Sequence, residues 1–365
     1  MIRVPIKANS SSYEAVIEHG VLCRAGAIVR ELLGGVPPVF VVTVPPVRRR
    51  WGKTLHESLH AAGFAPRFVE MPDGERHKRL ATIEALSEQL LRLGADRKAV
   101  VLAFGGGVVG DVTGMLASVY MRGVKLVQIP TTVQAQLDAA IGGKTGVNLR
   151  AGKNLIGTFY PPRLVLIDPA MLATLPEREF RAGMYEALKA GIIGNRELFA
   201  QLENSSIKNL RKDAELLTWV LGESVRLKAR VVSADEKESD LRRVLNLGHT
   251  IGHALEAATN YRHFLHGEAV AWGMHAAARI AVEVAACDAA TYERICNATH
   301  SWGRLPRVTV ETGKVLRLLK FDKKAEAGVV HFVLPIRIGE VRIGNDVPES
   351  AISAAMAEIR RESRG

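Results

Sequence analysis

Three cysteines in 365 residues, Cys23, Cys287 and Cys296, are too few and too scattered for a disulfide framework or a cysteine-ligated zinc site. A reduced, cytoplasmic setting is therefore expected. No apolar stretch reaches the ~18 uninterrupted residues of a membrane span, and Met1 to Lys7 lack the apolar run and small-residue cleavage site of a signal peptide. Aromatic residues make up only 5%, and the one dense basic run, Val47-Arg-Arg-Arg-Trp51, is short. That argues against a nucleic-acid surface, which interleaves a basic stripe with exposed aromatics. Neither an internal repeat nor a low-complexity tract is present.

What is there is ordinary globular composition, 47% hydrophobic and 24% charged, long enough for about two domains. Lys+Arg number 49 against 38 Asp+Glu, a formal charge of +11. With nucleic acid and membrane set aside as partners, such an excess fits a pocket for phosphates and carboxylates.

The first half alternates short β-rich runs with helical patterns. Residues 39–43, 67–70, 99–104, 125–129 and 164–168 are short, β-branched and bounded by Gly, Pro or Asp, as buried strands are. Thr82 to Leu93, with Ile83, Leu86 and Leu90 at helical spacing, reads as a helix. Strands separated by helices require crossovers, hence a mostly parallel sheet. After Pro169, residues 177–193, 213–232, 247–259 and 268–286 are rich in Ala, Leu, Glu and Lys and read as a helical bundle, with a β-like pair at 329–334 and 336–343. The expected fold is an α/β N-terminal domain with a mostly parallel sheet, residues 1–169, followed by a mainly α-helical C-terminal domain, residues 170–365.

Four motifs carry candidate chemistry. Gly105, Gly106 and Gly107, followed by Gly110 and Asp111, close a strand and open a helix, the arrangement in which backbone N–H groups approach a pyrophosphate. The acid expected about 20 residues later for a ribose is missing, since Pro130-Thr-Thr132 falls there. Asp73, Glu75 and Lys78 gather on a turn after a strand, where a cofactor's polar edge is usually met. Asp138, Lys144, Lys153 and Asn154 lie among glycines; a nucleotide-hydrolysing P-loop is excluded because Asp138 stands where its first glycine belongs, but the lysines and amide suit an anion.

The strongest motif is Leu245-Asn-Leu-Gly-His-Thr-Ile-Gly-His-Ala-Leu-Glu256. It puts His249 and His253 at i and i+4 on one helix face, with Asn246 just before and His263 and His266 after. Glu186 and Lys189 share another helix face. This set fits a nitrogen- and oxygen-ligated divalent metal with an open position, and the spacing invites both His249 and His253 onto it. Thr250 replaces the general base of a zinc protease helix. Lys228, Asp235, Glu238 and Arg242, and the late Asp322-Lys-Lys324, read on spacing alone as solvated charged faces.

Together the ordered motifs, from Asp73-Gly-Glu75 through Gly105 to Asp111, Tyr120-Met-Arg-Gly123, Pro130-Thr-Thr132, residues 142–148 and 152–157, 245–250, His266-Gly-Glu268 and 322–324, closely resemble the 3-dehydroquinate synthases of the sugar phosphate cyclase superfamily. The resemblance covers nearly the whole chain. It implies Glu186, His249 and His266 as ligands of a Zn or Co ion, with His253 facing substrate instead. It implies Gly105, Gly106, Gly107, Asp111, Thr131, Thr132, Asp73, Glu75 and Lys78, with Lys144 and Lys153, as the NAD site. Asp138, Lys144, Lys153, Asn154, Lys189, Lys228, Glu238, Arg242, Asn246 and His253 would form the substrate shell, with Arg122 and one of Lys323 and Lys324 completing the phosphate site.

The implied reaction converts 3-deoxy-D-arabino-heptulosonate 7-phosphate to 3-dehydroquinate. A hydroxyl is oxidised by NAD with metal assistance, phosphate leaves by β-elimination, the ketone is reduced again, and the opened ring closes by an aldol step. The implied partners are that phosphorylated sugar acid and a second copy of the chain. Relatives making 2-deoxy-scyllo-inosose or a valiolone, and NAD- and metal-dependent polyol or glycerol-phosphate dehydrogenases, share the plan and are the competing readings. Thr43-Val-Pro-Pro46 departs from the Asp or Asn many relatives use for the adenosine ribose, and residues 134–140 diverge except at Asp138.

Overall fold

The computed structural model describes residues 1–8, 11–150, 152–325 and 330–364, the side chains of 321–325 excepted. Along the first 175 residues run β1 (Ile2–Lys7), β2 (Ser12–Ile17), α1 (Ala25–Leu33), β3 (Val39–Thr43), α2 (Pro45–Ala61), β4 (Arg67–Glu70), α3 (Leu80–Arg92), β5 (Val100–Gly105), α4 (Gly107–Val119), β6 (Lys125–Pro130), β7 (Lys144–Val147), β8 (Ile156–Phe159) and β9 (Leu164–Ile167). Then come α5 (Glu177–Gly194), α6 (Arg196–Glu203), α7 (Ile207–Lys212), α8 (Ala214–Ala234), α9 (His249–Ala258), α10 (His266–Glu283), α11 (Ala289–His300), α12 (Thr312–Ala325), β10 (Phe332–Arg337), β11 (Glu340–Gly344) and α13 (Glu349–Glu362).

Two compact units result: Met1–Leu175 with Ala214–Lys237, and Pro176–Asp213 with Glu238–Gly365. A single cut after residue 169 needs correction on this point. Helix α8, sequence-distant, packs on β1 and β2, and Gly222 comes so close that a Cβ there would lie 2.8 Å from Ile2 Cδ1. A helix with two apolar faces joins whichever sheet completes its burial, and sequence order does not decide that.

In the first unit seven strands form one sheet in the order β1-β2-β9-β6-β5-β3-β4, and β7 and β8 form a separate antiparallel ribbon. Only β1 and β2 pair antiparallel in the large sheet. Its central strands are apolar on both faces: along β5, Val101 and Ala103 enter one core while Val100, Leu102 and Phe104 enter the other. Such strands lack polar alternation because helices cover both sides. From β3 the chain moves outward to β4, then returns beside β3 as β5 and continues to β6 and β9 the other way. The carboxyl ends of β3 and β5 therefore flank a topological switch point, where open α/β sheets bind ligands. Gly105 to Gly107 occupy it.

Among the described residues the second unit is helical apart from the β10–β11 ribbon, which begins three residues later than the sequence pattern predicts, Val329 lying outside the described residues. Its helices cross unusually closely. A Cβ on Gly267 would sit 1.8 Å from the Ala182 carbonyl oxygen of α5, and one on Gly273 would sit 1.8 Å from the carbonyl oxygen of Gly248, itself left-handed at φ +79°. No side chain fits at either crossing.

Gly273→Ala is expected to cost at least about 2 kcal/mol by overpacking, with a clear fall in melting temperature. Gly35→Ala, where nothing lies within 4 Å of the added Cβ, should melt as the unaltered protein does. Equal thermal denaturation midpoints for the two variants would contradict the close crossing.

Candidate active site

In the first unit the switch point is braced before any ligand is considered. The buried Thr43 hydroxyl donates to the Phe104 carbonyl at 2.7 Å, and Thr131 N–H donates to Gly105 O at 2.9 Å. Thr43 is thus committed to holding β3 against β5, and Pro45 and Pro46 occupy the first turn of α2, where proline's fixed φ and missing N–H are tolerated. Gly106 precedes α4 and faces Thr132, whose Cγ2 would lie 3.1 Å from an added Cβ. Backbone N–H groups at the start of α4 are consequently accessible in the way an anionic diphosphate requires.

Beside them runs a polar network. Lys78, only 4% exposed, donates to Asp111 Oδ2 and to Asn154 Oδ1, both at 2.5 Å. Asn148 donates its amide to Glu75 Oε1 at 2.8 Å, and its carbonyl oxygen accepts from the Asn154 backbone at 2.8 Å. Asn154 has φ +55°, a conformation that asparagine bears better than most residues. Burial pushes the Asp111 carboxyl up from its usual range, opposed by the Lys78 charge. Lys144 heads β7 and Lys153 precedes β8, so the two lysines flank the ribbon. Asp138 lies in a π-helical turn, residues 135–139, and accepts from Lys228 of α8 through both its Oδ1, at 2.5 Å, and its carbonyl.

In the second unit α5 carries Glu186 and Lys189, α9 carries His249 and His253, and α10 begins with His266. Each of the three elements reaches the others at a glycine crossing adjoining these positions: Gly248 precedes His249, and Gly267 follows His266 onto α5 four residues before Glu186. Glu186 is 1% exposed, and neither of its carboxylate oxygens has a hydrogen bond of acceptable angle, although Lys189 Nζ pairs with Oε2 at 2.6 Å. His249 Nδ1 meets Leu247 O at 3.1 Å, and His266 Nδ1 meets Glu256 Oε2 at 3.0 Å. Both partners are acceptors, so the ring protons sit on Nδ1. Both Nε2 lone pairs are thereby freed towards Glu186 Oε1, at 3.8 Å from His249 and 3.5 Å from His266.

That donor set fits a divalent cation. Bonds of about 2.0–2.2 Å to N and O place neighbouring ligand atoms roughly 3–3.5 Å apart, and three protein ligands leave a position open for substrate. The electrostatics agree. Burial opposes ionisation of Glu186, but the Lys189 charge and both imidazoles hold its carboxyl well below the usual range. Burial and Lys189 hold His249 well below its ordinary value, as a neutral ligand requires. His266, despite burial, is raised to about 9 by the neighbouring Glu186 and Glu256 carboxylates; a metal ion would compete with that proton. His253 is exposed, with its ring 5.2 Å from that of His249 and 5.7 Å from that of His266, and the three histidines offer nitrogens within 4.8 Å of one another.

Family models for the N-terminal and C-terminal parts of 3-dehydroquinate synthase match residues 68–182 and 183–325. The chain belongs to the 3-dehydroquinate synthase family. A 3-dehydroquinate synthase of Koribacter versatilis is 49% identical over 360 residues, 99% of this chain and 98% of its own. Among solved structures, a 2-epi-5-epi-valiolone synthase from Streptomyces hygroscopicus subsp. jinggangensis with NAD+ and Zn2+ bound has a TM-score of 0.87 at 31% identity, covering 96% of this chain and 98% of its own. A 2-deoxy-scyllo-inosose synthase complexed with carbaglucose-6-phosphate, NAD+ and Co2+ has a TM-score of 0.86 at 26% identity, over 98% and 99%.

Within each unit, then, the sequence candidates gather: Glu75, Lys78, Asp111 and Asn154, then Asp138 and Lys228, in the first; Glu186, Lys189, His249, His253 and His266, and Asn246 donating to Glu238 at 3.0 Å, in the second. Asp73 and Arg122 are exposed on turns, Arg122 at φ +69°. Lys228 and Arg242 are not solvated helix charges, as spacing alone suggests, but 8% and 2% exposed. His263, near the histidine cluster in sequence, turns instead to the Arg307 carbonyl at 2.9 Å. The side chains of Asp322, Lys323 and Lys324 lie outside the described residues. Asn148 had no assigned role in the sequence, and Glu256 counted there only as a carboxylate among the clustered histidines. Asn148 carries no pattern of its own, whereas Glu256 stands seven residues after His249, two turns along the same helix face.

Glu256→Gln keeps an acceptor for His266 Nδ1 but removes its charge. Divalent-metal affinity, measured by competition with a chromophoric chelator, is expected to fall about 10-fold or more. Affinity equal to that of the unaltered protein would show that Glu256 does not tune the centre.

Proposed function

We propose that this protein acts as a 3-dehydroquinate synthase, converting 3-deoxy-D-arabino-heptulosonate 7-phosphate to 3-dehydroquinate and phosphate. The observation that carries this reading is the 49% identity, sustained over 360 residues, with a curated 3-dehydroquinate synthase, and the buried Glu186 with the half-buried His249 and His266 supplies the chemistry it needs. When bound, NAD accepts and returns a hydride while a divalent metal, Zn or Co as in the related cyclases, acidifies the hydroxyl being oxidised.

In this reading Glu186, His249 and His266 hold the metal. Gly105, Gly106, Gly107, Asp111, Thr131, Thr132, Asp73, Glu75 and Lys78 hold NAD, with Lys144 and Lys153 adding charge. Asn154, Lys228, Arg242 and His253 match a substrate bearing a carboxylate, and Arg122 and the 322–324 lysines match its phosphate. Lys189 keeps a fixed positive charge beside the metal ligand Glu186, where negative charge would develop on an oxidised hydroxyl. Asp138, Glu238, Asn246 and His253 orient the hydroxyl groups and move protons. Asp138 is already oriented by Lys228 and Glu238 by Asn246, so these carboxylates need little reorganisation on binding.

Among the described residues no helix is long and apolar enough to cross a membrane. With three free cysteines, the cytoplasm is the setting we propose, and a homodimer the working form; light scattering at twice the chain mass would test the latter.

Phosphate release from the heptulosonate phosphate is expected without net accumulation of NADH, since the hydride is returned. Turnover of glucose 6-phosphate or sedoheptulose 7-phosphate alone, or steady NADH production, would overturn the assignment. Glu186→Ala, His249→Ala and His266→Ala should each lose at least about 1,000-fold in activity together with bound metal, whereas His253→Ala should lose activity with metal retained. Equal metal content in all four, by elemental analysis, would refute the ligand set.

A further inference from the structure

A second cluster of metal-ligating side chains lies away from the site above. His275 stands nine residues after His266 on α10; at 100° per residue that is 900°, the opposite face of the helix, and about 13.5 Å along its axis. It is 0% exposed. Around it are His300 at the end of α11, with ring centroids 4.9 Å apart, and Glu362 at the end of α13, whose Oε2 lies 2.9 Å from His275 Nδ1. The three offer ligand atoms that all lie within 4.8 Å of one another.

The hydrogen bonds fix the tautomer. Thr299 Oγ1 donates its single proton to the Cys296 carbonyl at 2.8 Å, so where it meets His275 Nε2 it must accept, and that nitrogen carries the ring proton. In neutral His275 the lone pair is then on Nδ1, facing the Glu362 carboxylate at 2.9 Å. Two acceptors at that distance repel unless a cation sits between them. Tyr292 donates to the other oxygen, Oε1, at 2.6 Å, which aims Oε2 at the histidine and leaves it no neutral donor. A separation of 2.9 Å is also near that of two ligand atoms sharing a metal with bonds of about 2.0 Å.

From these contacts we infer that His275 Nδ1, Glu362 Oε2 and His300 form a second binding site for a divalent transition cation of the zinc, cobalt or nickel class, with water completing the shell on the exposed His300 side. Its ligands come from three helices, so an ion here would clasp α11 and α13 to α10. Burial pushes the Cys296 thiol up, so Cys296 is a protonated neighbour and not a thiolate ligand. Trp272, its ring 5.2 Å from His275 and 6.0 Å from His300, walls the site with an apolar face.

The test is a zinc count. Protein stripped with chelator, reloaded with zinc and desalted is expected to hold roughly two equivalents per chain. His300→Ala, at an exposed helix end, should hold roughly one with phosphate release unchanged. Glu186→Ala should also retain roughly one, lost in Glu186→Ala/His300→Ala, and only in the presence of His300 should zinc raise the melting temperature of the Glu186→Ala protein. One equivalent in the unaltered chain, meaning that a proton alone bridges His275 and Glu362, would overturn the proposal. So would an unchanged count in His300→Ala.

Discussion

The second unit is organised around one buried charge. Glu186 is 1% exposed in the middle of α5, and an isolated carboxylate there would cost several kcal/mol in desolvation. Its compensation is local, from Lys189 one turn away, and tertiary, from His249 and His266 on two other helices. An ammonium alone would neutralise the charge, but the two Nε2 atoms converge on the oxygen opposite the one Lys189 engages. That convergence is what turns a buried ion pair into a centre able to hold a metal. It requires three helices to approach nearer than side chains normally allow, which is the physical reason for glycine at 248, 267 and 273. Packing at the crossings and the placing of these donor atoms are therefore one constraint: a methyl group at either crossing displaces Glu186 or a histidine.

A similar logic runs through the first unit. Lys78 is buried against Asp111 and Asn154, and Asn148 links Glu75 and Asn154 to it, so residues far apart in sequence are held as one polar surface beside the glycine turn. Asn148 and Asn154 do this with amides, which provide donor and acceptor without a net charge. The network leaves Lys78 satisfied through strong charge-assisted bonds, and Thr43 contributes stiffness at β3–β5.

Much of this was legible in the sequence because its causes are local. The parallel sheet announced itself through β-branched runs with glycine or aspartate at their ends, and α9 placed His249 and His253 one turn apart by periodicity alone. That same periodicity could not tell their surroundings apart, since these depend on Leu247 O, Glu256 and a helix from elsewhere in the chain. The edge hairpin β1–β2 gave a weak signal because polar residues alternate with apolar ones over only six positions. Helix α8 was visible as a helix, but its destination was not: burial against β1 and β2 is a tertiary fact. Arg242 and Lys228 misled for a related reason, because a charged residue in a helical or looped stretch carries no local sign that its surroundings will exclude water.

That last point changes what the net charge of +11 means. Surface lysines and arginines are inexpensive and say little about a partner; Arg48, for example, lies over the Phe68 ring at 4.1 Å and pairs with Glu70 at 3.5 Å. Lys78, Lys189, Lys228 and Arg242 are another matter, since each is less than a tenth exposed and each gives up hydration that only charged or hydrogen-bonding partners can replace. A chain retains cations at such cost where their field is needed in a dry place. Asp111, Glu186 and Asp138 are already ion-paired with the three lysines, which holds the ammonium groups oriented before any ligand arrives. Within each unit such charges need no reorganisation when an anion arrives, and that preorganisation, more than the arithmetic excess, is what the buried cations contribute.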